Sequence, residues 1–332
     1  APSLWGWLAD RIGARVPIVR AAGLASLAGF LIFFTTDQFA GVFVAMALMS
    51  FFWSASLPLV EALTLEHLKS SVSRYGAIRV WGSIGFVVTV LVLGDVLERT
   101  GLDAVLWACS LLLAGIFLFA MCVPEAPVHA GAVAATQSLR AILRSRPVAG
   151  LFGAAFFMSC AHGALYVFYS IHLDEHGYSK RVIGGLWTLG VLAEIGVFLC
   201  MPWLLRRFTL RALLLVALMA AVLRFAVIGW AVSAPLWLIG AQLLHGLTFG
   251  AFHAGSVAAL NQWCDARQQA RAQALYGSVS FGAGGMVGGL LAGWMWAPLG
   301  GAWAFSVSAL FAVAGYALLR WMWRPESAPG HG

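Results

Sequence analysis

Glu61, Arg79, Glu194 and Arg224 stand within or at the edges of long apolar runs, and His162, His245 and His253 lie in similar surroundings. A charge at the middle of a bilayer costs at least about 2.5–3.5 kcal/mol, so each such ion needs a partner, a proton or a function. Two kinds of chemistry fit these residue types. A carboxylate tolerated only when paired or protonated is able to take up and release a proton. A guanidinium attracts the carboxylate of a ligand. Spacing sorts the candidates. Glu194 follows Trp187 by two helical turns and shares its face. Arg224 is central in the next apolar run, and His245 lies a third of the way into the one after. Arg79 shares a face with Ser83 and Phe86, and Glu61 ends the preceding run, so a short loop brings the two to similar depth. That pair is read either as a ligand site or as an ion pair closing two helix ends. His162, Tyr166 and Tyr169 fall at i, i+4 and i+7, a stripe that serves as packing or, given its polar tips, as pocket lining. Gln242, on the His245 face, is a similar case. His253 is read as a helix–helix hydrogen bond.

These residues need helices that cross lipid. Of 332 residues, 61% are hydrophobic and only 10% charged, with a mean hydropathy of +0.89. A soluble domain carries about 45–50% apolar and about 25% charged residues. A spanning helix needs roughly 20 apolar residues, and windows of that size predict ten spans, near 16–35, 39–65, 76–95, 102–122, 148–170, 182–204, 212–232, 235–260, 272–297 and 300–323. The runs are continuous rather than alternating, which favours helices over a barrel. All 20 Lys and Arg except Arg99, Lys180, Arg181 and Arg224 fall in the first loop, every second loop thereafter and the C-terminal end. This is the positive-inside pattern, and it predicts a cytoplasmic C-terminus. The net charge of +7 therefore reflects topology and does not point to nucleic acid. The basic residues are Arg apart from Lys69 and Lys180, a bias of GC-rich bacterial genomes. The expected location is a bacterial inner membrane.

The domain reading follows from the longest interspan loop. Residues 1–122 form a first helix bundle, 123–147 a central cytoplasmic loop, 148–324 a second six-helix bundle and 325–332 a tail. Faint self-similarity links the halves. Leu8–Arg15 aligns with Leu204–Arg211, and Tyr75-Gly76 with Tyr276-Gly277, at nearly equal offsets. Residues 1–8 read as the tail of a further span, so the first bundle is expected to be incomplete. The five cysteines form no CxxC and are read as small packing residues. Gly282, Gly284, Gly285, Gly288 and Gly289 crowd one span, as close packing with flexing as a second role. No metal-ligand motif, P-loop, HExxH or GxSxG occurs, and no cofactor is expected.

The loop "GWLADRIGAR", residues 6–15, resembles the loop between the second and third helices of the major facilitator superfamily. Gly6, Asp10, Arg11, Gly13 and Arg15 match that pattern, and the resemblance implies a conformational latch for the outward-facing state. Gly6 would let two helices approach and Gly13 would allow a tight reversal. "LPLVEAL" (57–63), "YGAIRVWGSIGF" (75–86), "AHGALYVFYSI" (161–171), "LWTLGVLAEI" (186–195), "QLLHGLTFGAFH" (242–253) and "QALYGSV" (273–279) are similar to phenylpropionate-permease-type facilitators, distant relatives of the lactose permease group. The implied fold is an all-α, polytopic membrane protein, a 6+6 helix bundle lacking helix 1 and most of helix 2.

The lactose permease group carries a carboxylate and an arginine where Glu61 and Arg79 lie, and uses them for ligand binding. Glu194, Arg224 and His245 on three successive helices are similar to its proton-coupling constellation, although the residue three after His245 is Thr248 and not a carboxylate. The expected activity is proton-coupled symport of a small organic solute by alternating access, working as a monomer in the lipid bilayer. Arginines suggest a carboxylate on that solute, and Trp, Tyr and Phe an aromatic body. Substrate contacts are assigned to Arg79, Glu61, Phe86, His162, Tyr166, Trp187 and Gln242, and proton coupling to Glu194, Arg224 and His245. A sugar, nucleoside or drug is the alternative solute. A membrane enzyme or sensor fits poorly, because the ionisable groups sit singly on separate helices and no soluble output domain is present in the sequence.

Overall fold

A computed structural model describes residues 2–68, 72–125, 145–264 and 266–324, and every regular element among them is a helix. Ten helices among the described residues are long and apolar enough to cross a membrane, as the hydropathy predicts. The chain divides into two compact units, Ala1–Ala132 and Val133–Gly332. Most of the expected central loop (126–144) and the tail 325–332 lie outside the described residues. Large apolar side chains such as Leu111, Phe119, Leu199 and Leu236 are exposed, as a lipid solvent allows. The five cysteines form no disulfide; Cys160 and Cys264 are buried, whereas Cys122 and Cys200 are exposed and so do not pack as expected.

The first unit contains α1 (Pro2–Ile12), α2 (Val16–Leu31), α3 (Phe39–Trp53), α4 (Ser56–His67), α5 (Val72–Thr100) and α6 (Ala104–Cys122). Helix α2 is its centre and packs on α3 and α6, burying Val16, Val19 and Ala22 with Leu59, Leu63 and Ala120. The second predicted span is two helices. Pro58, in the first turn of α4, has no N–H for the carbonyl a turn earlier, so the helix stops at Trp53 and restarts at Ser56. A reciprocal clasp ties α2 to α6. The Glu125 carboxylate accepts the Val16 N–H at 2.9 Å and the Arg15 N–H at 3.1 Å, capping the N-terminus of α2. Arg20 donates to the carbonyls of Ala120 (3.1 Å), Met121 (2.9 Å) and Val123 (3.2 Å) at the C-terminal end of α6. Each helix end thus receives the charge that its unpaired backbone groups favour.

The second unit contains α7 (Arg146–Glu175), α8 (Lys180–Arg207), α9 (Leu210–Trp230), α10 (Pro235–Leu243), α11 (Phe252–Trp263), α12 (Ala266–Gly277), α13 (Gly285–Leu299) and α14 (Gly301–Met322). A π turn, Gly246–Ala251, joins α10 to α11, and another, Ser278–Gly284, joins α12 to α13. Helix α7 is the most enclosed and packs on α13 and α14. It approaches α13 closely because both carry glycine at the crossing. A Cβ on Gly288 would collide with the Cys160 backbone, and one on Gly163 with the backbone of Gly288 and Gly289. The close packing expected of the glycine cluster holds at Gly284 and Gly288; Gly282, Gly285 and Gly289 have room for a Cβ. Ser179 and Thr209 cap α8 and α9 by accepting the N–H groups of Val182 and Ala212. Arg211 donates to the carbonyls of Arg320 and Trp323, closing the end of α14 much as Arg20 closes α6.

Candidate functional site

Arg224, in the C-terminal half of α9, is fully buried. Its Nε donates to the Ala241 carbonyl at 3.0 Å. One terminal nitrogen donates to Thr248 Oγ1 at 3.2 Å and approaches His162 Nε2 at 3.4 Å, and the other donates to Gln242 Oε1 at 3.2 Å. The guanidinium also lies 5.5 Å from the Phe225 ring centroid. The acceptors in these hydrogen bonds are all neutral. A buried charge survives in such a place only with its donors satisfied, and α7, α10 and the first π turn supply the acceptors.

His162 has a fixed role in this cluster. A guanidinium only donates, so Nε2 must accept and the ring proton sits on Nδ1. That nitrogen donates to the Met158 carbonyl at 2.9 Å. His162 is therefore held as a neutral acceptor while Arg224 faces it.

Glu194 on α8 places Oε2 3.8 Å from His245 Nε2. Two glycines of the π turn allow this. A Cβ on Gly246 would run into the Ala193 carbonyl, and one on Gly250 would lie 3.3 Å from Glu194 Cγ. His245 is stacked on Phe249 (5.5 Å, 14°) and lies 6.2 Å from the His162 ring. Its Nδ1 and the Gln242 Nε2 are buried without hydrogen-bond partners among the described residues. The bundle thus lines up Glu194, His245, His162 and Arg224.

A pocket adjoins this cluster, with His162, Thr248 and Tyr166 in its wall. Tyr166 is half exposed and stacks on Trp187 at 6.5 Å and 12°. Tyr169 lies fully buried, edge-on to Trp187 at 5.4 Å. The predicted tyrosine stripe therefore divides, Tyr166 to the pocket and Tyr169 to the core.

Residues 1–307 match the family described as the MFS_1 like family. The chain belongs to that family. It is 27% identical over 321 residues to a probable 3-phenylpropionic acid transporter of Escherichia coli strain K12, covering 95% of this chain and 81% of the relative. It is 29% identical over 297 residues to the maltose permease of Geobacillus stearothermophilus, covering 88% and 75%. The fold is similar to the crystal structure of a mutant form of the nucleoside transporter NupG, with a TM-score of 0.83 and 18% identity over 97% of this chain and 87% of that one. The chain is thus a multi-pass membrane protein of the major facilitator type, and these relatives are named as transporters or permeases.

The first-unit candidates are more scattered. Glu61 is half-buried on α4 and Phe86 is exposed on α5. Arg79 and Asp10 fall on α5 and α1, but their side chains lie outside the described residues. Within the loop motif, Gly13 takes a left-handed φ of 71°, which explains a glycine there. Arg15 forms an ion pair with Glu66, and Arg11 lies 5.4 Å from the Trp7 ring. Gly6 departs from expectation. A Cβ there would meet nothing within 4 Å, so no close helix approach depends on it. Reading the sequence overlooked Glu66 and Glu125 as partners of this loop, and Ser159, Ser280 and Phe281 as pocket walls. The "PE" after α6, among apolar residues, was an available signal for Glu125.

Proposed function

We propose that the chain is a secondary transporter that carries a small organic acid with an aromatic body together with protons, by alternating access. Glu194 and His245 are the proton-exchanging pair, and Arg224 is a fixed cation whose field favours an anionic solute. The observation that carries this reading is the fully buried Arg224, hydrogen-bonded to neutral acceptors, with Glu194 and His245 in the same bundle. A buried cation in a membrane bundle draws negative charge, and a carboxylate beside an imidazole there exchanges protons readily. Likeness to the 3-phenylpropionic acid transporter supports the solute class. In this reading the protein works as a monomer in a bacterial inner membrane with its C-terminus in the cytoplasm, and Asp10, Arg11, Gly13 and Arg15 belong to a latch. Glu61, Arg79, Phe86, His162, Tyr166, Trp187 and Gln242 remain the proposed solute contacts. A sugar or nucleoside is the second reading, favoured by likeness to the maltose permease and NupG.

Uptake into proteoliposomes with an imposed pH gradient tests the proposal. Aromatic acids should accumulate when the outside is acidic, and Glu194→Gln should abolish the response to the gradient while leaving exchange of preloaded solute. Accumulation indifferent to the gradient, or an unaffected Glu194→Gln variant, overturns proton coupling. Maltose or uridine uptake without aromatic-acid uptake selects the second reading.

A further inference from the structure

Trp187 on α8 is gripped by three residues of α7. Its Nε1 donates to Ser170 Oγ at 3.0 Å. The buried Tyr169 meets its ring edge-on at 5.4 Å, and the half-exposed Tyr166 lies nearly parallel to it, 6.5 Å away at 12°. Tyr166 and Ser170 are one helical turn apart and share a face of α7. Little else joins the two helices, because α8 packs mainly against the first π turn and α10. Tyr166 is also part of the pocket wall, so Trp187 continues that wall onto α8.

The three contacts fix different freedoms of the indole. The two tyrosine rings limit its tilt, but a ring turned over would keep apolar contact with both. An indole N–H is a donor only, so the bond to Ser170 is the contact that tells one edge of the ring from the other. We propose that Ser170 is a positioning residue for solute recognition. Its hydroxyl holds the Trp187 ring in the orientation that presents it, beside Tyr166, to the solute. Ser170 acts through the indole and not on the solute. A wall already in place spares the solute the cost of ordering it, and affinity falls in proportion to the fraction of molecules whose ring has turned away. The inference rests on the reading above that Tyr166 and Trp187 are solute contacts, and adds the group that sets their geometry.

Uptake kinetics in proteoliposomes test it, with whichever of phenylpropionate, uridine and maltose the parent accumulates, so that a wrong solute class shows in the parent alone. Ser170→Ala should raise the half-saturation concentration about two- to tenfold, the worth of one hydrogen bond, with the maximal rate close to that of the parent. Ser170→Thr keeps the hydroxyl and should restore the parent value. In a Trp187→Phe background there is no N–H to hold, so Ser170→Ala should add nothing. Ser306→Ala is the control. Ser306 Oγ accepts Trp230 Nε1 at 2.9 Å, joining α9 to α14, and neither residue lines the pocket. Its loss should leave half-saturation unchanged. Half-saturation unmoved in Ser170→Ala, a further rise when Ser170→Ala is added to Trp187→Phe, or the same rise in Ser306→Ala overturns the proposal. If Trp187→Phe itself matches the parent, the indole is no solute contact and the proposal falls while the transport reading stands. Uptake of none of the three solutes overturns both.

Discussion

Replacing Gly288 with alanine forces apart two helices that touch backbone to backbone. The new Cβ would lie 2.7 Å from the Cα of Cys160 and would strike its carbonyl oxygen. Carbon atoms pack best at about 3.5–4.0 Å, so the crossing must open by about 1 Å. Neither obstacle is the end of a side chain that swings away. Overpacking of this kind costs about 1–3 kcal/mol. The neighbouring Gly289→Ala is the internal control, because its Cβ would meet only Val167 Cγ2 at 3.6 Å, an ordinary contact. There the gain in helix propensity, up to about 1 kcal/mol, is unopposed. The propensity gain is common to both, so the two variants should differ by the overpacking cost, about 1–3 kcal/mol, although they exchange the same atoms one residue apart. Unfolding in mixed detergent–SDS micelles, followed by circular dichroism, measures the difference. Gly288→Ala should unfold at clearly lower SDS than the parent, and Gly289→Ala at the same or higher SDS. Coincident curves for the two variants would refute the packing argument, since it predicts a difference from position alone.

Two further predictions concern hydrogen bonds. Glu125→Ala should cost about 1 kcal/mol by uncapping α2, and hydrogen exchange should quicken at the Arg15 and Val16 amides, with unchanged exchange there showing that the cap contributes nothing. Thr248→Val, nearly isosteric, removes one acceptor from the buried Arg224 and should destabilise the chain by about 1–3 kcal/mol in the same SDS assay. A silent Thr248→Val would mean that the guanidinium does not depend on that hydroxyl.

Much of the architecture was legible because the bilayer simplifies the code. Lipid demands about 20 apolar residues per crossing and satisfied backbone groups, so the ten apolar runs became ten candidate crossings among the described residues. The interruption at Pro58 was written in the sequence as well, and was hidden only because hydropathy ignores backbone chemistry. The site was legible as a set of residues and not as a set of pairs. Arg224, Gln242 and His162 were each singled out by polarity in apolar surroundings, yet nothing in their spacing assigns Gln242 and His162 to the same guanidinium. Helical periodicity also placed Tyr166 and Tyr169 on one stripe. A stripe spans a wide arc of the helix, and the neighbours in the bundle buried one ring and left the other half exposed.

From the sequence alone follow the solvent, the number of crossings, the loops rich in arginine and the few ions inside the membrane, because each depends on local composition set against the cost of placing charge in lipid. Tertiary structure decided the rest. It set an imidazole beside Glu194, brought a threonine to a guanidinium, drew Glu125 back to the start of α2, and turned two π insertions toward one pocket. Those outcomes depend on which helices cross and how near, and at Gly163 and Gly288 that distance is set by the absence of a methyl group on each side of the contact.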